Sequence, residues 1–99
     1  MTSAAAATPR FDIFYRHDDL TKLLSGCAEA YPSLVSMASI GKSFEGRDIW
    51  VATVTNTHTG SPADKPAFCV DANIHAAELT ASTTALHYLN WVGKGYGSP

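Results

Sequence analysis

The residues best suited to chemistry stand together in the stretch "NIHAAE", positions 73–78, where His75 and Glu78 lie three apart. An imidazole nitrogen and a carboxylate oxygen are both good zinc donors, with bond lengths of about 2 Å. A spacing of three brings two side chains toward one point if the backbone turns into a helix there. Such a pair could hold part of a divalent-cation site. Taken alone, His-x-x-Glu also recurs by chance, and it has a plain structural reading. The histidine would sit in a turn, and the glutamate would place its negative charge where a helix N-terminus favours one. The residues by themselves leave both readings open.

The elements that must position the pair can be read from spacing. Leu20, Leu23, Leu24 and Cys27 recur at helical intervals and give one apolar face. Asp18 is the expected cap of that helix, and Pro32 ends it, since proline disfavours helix in the residue before it. "LVSMASIG" alternates and reads as a short strand, and "RDIWVATVTN" as a second one, rich in β-branched and aromatic residues. The apolar residues of the second strand fall on both faces, so cover is expected on both sides. "THTGSPADKP" is a polar loop of turn formers. The compact apolar run "AFCVDA" suits a central strand. A last helix is expected from about Ala77 to about Val92, lined by Leu79, Ala81, Ala85, Leu86, Leu89 and Val92, with the glycines of "GKGYGSP" as its stop. This places His75 on the turn after the strand and Glu78 in the first turn of the helix. The carboxyl end of a central strand is where open α/β sheets hold their ligands. Helix, strand, strand, strand, helix predicts an α/β layer.

Composition bounds the function classes. The 99 residues are 45% apolar and 16% charged, with a net charge of −2, which is ordinary for a globular domain. The seven Lys and Arg are scattered, so no nucleic-acid footprint is present. No apolar run approaches the roughly 20 residues that span a bilayer. "MTSAAAATPR" lacks the pattern of a secretory signal and is expected to be a disordered tail over residues 1–10. Cys27 and Cys69 make no disulfide framework; both read as buried free thiols. A cytoplasmic setting fits these features.

The stretches "YPSLVSMASIGKSFEGRDIWVATVTN" and "KPAFCVDANIHAAE", in that order, resemble the opening of the zinc metallocarboxypeptidase family, the carboxypeptidase A-like, M14-type peptidases. The similarity runs from about Tyr15 onward. It implies a mixed β-sheet flanked by helices, with residues 11–99 forming the N-terminal part of a catalytic domain. It implies Zn²⁺ as cofactor, His75 and Glu78 as the paired zinc ligands, and peptide C-termini as substrate. It also implies a third ligand histidine, a general-base glutamate and substrate-binding arginines, which are expected beyond Pro99. Two positions depart from the family pattern. Ala77 stands where digestive-type members carry an arginine that contacts substrate, and Ala72 where glycine is common.

No local histidine completes a site. His87 is nine residues past Glu78, about half a turn out of phase on a helix. His58 lies in a loop, and His17 precedes the first helix with no motif around it. Glu45 and Asp48 read as solvated turn carboxylates, and Arg47 as structural. The chain alone is therefore expected to be inactive, and self-association is expected where sheet edges stay open. Three alternatives accompany this reading. One is a zinc acylase or deacylase-like hydrolase with a similar His-x-x-Glu start. The others are a non-catalytic binding module of the same fold and a structural piece of an assembly.

Overall fold

The computed structural model describes residue 10 and residues 12–96; the tail expected over residues 1–10 lies almost wholly outside them. Helix α1 spans His17–Ala30, strand β1 Val35–Lys42, strand β2 Asp48–Val54, and helix α2 Leu79–Gly95, with one 3-10 turn at Pro62–Asp64. The architecture is α/β, as the element order predicts. Among the described residues the sheet has two strands, β1 and β2, paired antiparallel.

Helix α1 begins one residue earlier than its expected cap. Arg16 occupies the cap position and makes no side-chain cap bond, while Asp18 and Asp19 sit inside the first turn. There they act on the exposed N–H end of the helix through charge rather than by capping it. The chain leaves α1 at Tyr31, just before Pro32. The Tyr31 carbonyl accepts from Leu34 N and Val35 N at 3.0 and 2.8 Å, which turns the chain into β1.

Register follows side-chain alternation. Val35 faces Val54, Met37 faces Ala52 and Ser39 faces Trp50, which puts these six on one face of the hairpin. That face meets α1, and α1 also packs on α2. The core is Leu24 and Cys27 of α1, Val35 of β1, and Leu86 and Leu89 of α2, ringed by Tyr31, Met37, Trp50 and Ala52 among others. Two polar links bind α1 to β2. Trp50 Nε1–H donates to Thr21 Oγ1 at 2.9 Å, and His17 Nε2–H donates to the Asp48 carbonyl at 2.8 Å. His17, which has no motif in the sequence, thus pins the start of the helix to the start of the strand.

Several expectations are corrected. The outer face of β2 is uncovered, with Ile49 and Val51 exposed beside Ile40 of β1. Residues 67–72 form no strand: Phe68 is 82% exposed and Val70 51% exposed. A strand apolar on both sides needs a neighbour at each edge and a layer on each face, and the described residues supply neither. Cys69, expected to be buried, is exposed for the same reason, whereas Cys27 is buried. Burial pushes the Cys27 thiol above its ordinary pKa. Asp48 is not a free turn carboxylate. It accepts from Lys42 Nζ at 2.7 Å and Ser39 Oγ at 2.8 Å, and these two bonds hold its pKa below the usual carboxylate value. Arg47 pairs with Glu45, which is the structural role expected of it.

The loop after β2 is tied down by Lys65. Its ammonium group donates to Thr55 Oγ1 and Thr59 Oγ1, both at 2.8 Å, and to the Asn56 carbonyl at 3.0 Å. Asn56 Nδ2 in turn donates to Tyr96 Oη at 2.7 Å, at the far end of α2. The stretch that leads to His75 therefore departs from a fixed point.

Candidate metal centre

Beyond that point the chain turns toward α2 at Asn73, which has φ of 68°. Non-glycine residues rarely adopt this left-handed conformation, and asparagine is among the few that tolerate it. Next comes a tight turn in which Glu78 N donates to the His75 carbonyl at 3.1 Å. Glu78 sits at the N-cap of α2, one position before the helical turn in which it was expected. Its side chain makes no cap bond to the helix and reaches back to His75 instead.

Both of its oxygens face that one residue. Glu78 Oε1 accepts from His75 N at 3.1 Å, and Oε2 lies 2.9 Å from His75 Nδ1. The ring bond first, and the backbone bond second, hold the Glu78 carboxyl below its ordinary pKa. Facing a carboxylate, the His75 Nδ1 carries the proton and donates it. The arrangement resembles one arm of a capping box, in which a glutamate bonds the backbone N–H three residues earlier. The plain structural reading is therefore present in the geometry. The cation reading is present as well: one nitrogen and one carboxylate oxygen already meet at a common point.

The pair is open to water. The His75 side chain is 76% exposed and that of Glu78 is 44% exposed, so a hydrated ion reaches both donors without displacing protein. The donor set suits a borderline cation such as zinc. Among the described residues, no group of three His, Cys, Asp or Glu side chains comes together. His87, mid-way along α2 and half-buried, and His58, exposed in its loop, stay apart from the pair, as their sequence positions imply.

Sequence reasoning overlooked two supports of this turn. One is Asn73, whose signal was an asparagine ahead of a helix start, a residue type that tolerates the left-handed conformation. The other is Ser82, whose hydroxyl donates to Asn73 Oδ1 at 2.9 Å. Nothing in the sequence alone marks that bond.

Comparison with known proteins identifies relatives of the chain. Carboxypeptidase D of Drosophila melanogaster is 32% identical over 87 residues, covering 85% of this chain and 6% of that protein. Carboxypeptidase A2 of Rattus norvegicus is 33% identical over 88 residues, covering 89% of this chain and 20% of that protein. Carboxypeptidase M of Mus musculus is 31% identical over 86 residues, covering 86% of this chain and 19% of that protein. The chain thus spans a fifth or less of the length of these three relatives. Residues 20–98 match the family model described as zinc carboxypeptidase, and the chain belongs to that family.

Proposed function

We propose that this chain serves a zinc-dependent metallocarboxypeptidase that hydrolyses C-terminal residues from peptides, with His75 and Glu78 as two of its metal ligands. The observation that carries the reading is the meeting of His75 Nδ1 and Glu78 Oε2 at 2.9 Å in a chain of the zinc carboxypeptidase family. A zinc ion bound there would act as a Lewis acid and make a bound water acidic enough to attack near neutral pH. The chain's own contribution is to hold and orient. The turn at 75–78 brings the imidazole to the carboxylate, and the N-cap position ties Glu78 to α2. No observation favours an acylase or a non-catalytic module over this reading.

A hydrolytic zinc site generally has three protein ligands and one open position. The described residues bring two such groups together, and the reading treats them as part of a larger ligand set. The chain's exposed Phe68 and Val70 and the bare outer face at Ile49 and Val51 also support self-association, which sedimentation of the chain at several concentrations would detect.

The test is calorimetric titration of the chain with zinc, beside a His75→Ala variant. The expected result is weak one-to-one binding that the substitution weakens at least about tenfold, since loss of even an outer partner of a metal ligand costs about 10- to 100-fold in affinity. Equal binding by both proteins would remove the ligand assignment.

A further inference from the structure

The bonds between His75 and Glu78 cannot by themselves keep the imidazole in place for an ion. The ring bond of the pair is the very one that a shared cation replaces. The turn bond from Glu78 N to the His75 carbonyl persists in both states but ties His75 only to Glu78; a second persisting contact ties the chain just before His75 to α2.

From residue 71 to residue 80 every side chain is exposed except that of Asn73, which is half-buried. Asn73 stands two residues before His75, and among the described residues it is the single non-glycine with positive φ. Its Oδ1 accepts from Ser82 Oγ at 2.9 Å. Ser82 lies four residues after Glu78, one turn along α2, so the two share a helix face. Glu78 is located by α2 directly. His75 is located by the same face of the same helix, through Asn73. Removing the strut leaves residues 74–77 as a solvated loop tethered at its Glu78 end.

We propose that Asn73 and Ser82 are positioning residues for the metal pair, a strut that sets His75 over Glu78 before an ion arrives. The proposal rests on the reading of His75 and Glu78 as ligands. Holding one donor ready spares the ordering cost at binding, so the effect falls on affinity.

The test uses the full chain and the variants Ser82→Ala, Ser82→Thr, Asn73→Gly and His75→Ala, with far-UV circular dichroism to verify that α2 is retained. Zinc affinity is read by competition with a chromophoric chelator. Exchange of the His75 amide proton, which donates to Glu78 Oε1, is read by NMR without metal. Loss of one hydrogen bond corresponds to roughly a 3- to 10-fold weakening of zinc binding in Ser82→Ala, with faster exchange at His75. Ser82→Thr restores both, because it keeps the hydroxyl. Asn73→Gly keeps the left-handed turn but lacks Oδ1. It matches Ser82→Ala, and combining the two changes adds nothing further. Wild-type affinity and unchanged His75 exchange in Ser82→Ala would overturn the proposal. If His75→Ala binds zinc as the wild type does, the ligand reading fails. The strut is then judged by exchange alone, with acceleration supporting it and no change overturning it.

Discussion

The contact between Gly93 and Tyr31 is the place to test the packing of the helix that carries Glu78. Gly93 of α2 is buried against the ring of Tyr31, the residue that closes α1. A Cβ added at position 93 would lie 2.8 Å from Tyr31 Cδ2, 2.9 Å from Cε2 and 3.3 Å from Cγ. Favourable carbon contacts fall at about 3.5–4.0 Å, so either the ring or the helix must shift. Overpacking of this kind costs about 1–3 kcal/mol. Against it, alanine is the better helix former by about 0.8–1.0 kcal/mol. Gly93→Ala should therefore destabilise the chain by up to about 2 kcal/mol. For a domain of this size each kcal/mol corresponds to roughly 4–8 °C in Tm. Two controls isolate the cause. A Cβ at Gly95 meets nothing within 4 Å, so Gly95→Ala should be neutral or mildly stabilising. On a Tyr31→Ala background the clash is gone, and Gly93→Ala should become stabilising by about 1 kcal/mol. The assay is urea unfolding followed by far-UV circular dichroism for the four members of the cycle. A Gly93→Ala chain more stable than wild type, with no dependence on residue 31, would refute the packing described here.

Asp48 should make the hairpin acid-sensitive. Its pKa is depressed in the folded chain by Lys42 and Ser39, so its stabilisation is present above the ordinary carboxylate pKa and is lost as pH falls through the folded value. Urea midpoints measured from neutral pH down to about pH 3 should decline in the wild type and decline less in Asp48→Asn. Lys65→Met removes three hydrogen bonds from the loop after β2 and should cost about 1–2 kcal/mol, since the group is partly solvated; urea unfolding measures it. A thiol reagent should modify exposed Cys69 at once and buried Cys27 only as the chain unfolds, which stopped-flow absorbance with and without denaturant would show.

Local signals were legible wherever the physics is local. The spacing of Leu20, Leu23, Leu24 and Cys27 and the position of Pro32 gave α1 nearly to its ends. Alternation gave β1, and branched and aromatic residues gave β2. The meeting of His75 and Glu78 followed from their spacing and from the turn into α2. What could not be read depends on neighbours distant in sequence. Whether "AFCVDA" becomes a strand is decided by partners on both of its edges, and its residues cannot report whether those partners are there. The same holds for the outer side of β2, where Ile49 and Val51 face solvent. Asp48 looked like an ordinary turn carboxylate because its partner Ser39 lies nine positions back, across an irregular strand pair. Gly93 read as a helix terminator because a helix stop and a close helix contact use the same residue; only Tyr31 tells them apart.

The run from Pro66 to Ile74, which forms neither helix nor strand, has a consequence for how this chain meets other proteins. Proteases and chaperones grip polypeptide in drawn-out form, through main-chain groups that have no other engagement. Among the described residues, this run's main chain bonds to no other main chain, and its large side chains, Phe68, Val70 and Ile74, stand in water. In this 99-residue chain a single cut within the run would sever the hairpin from the helix bearing Glu78.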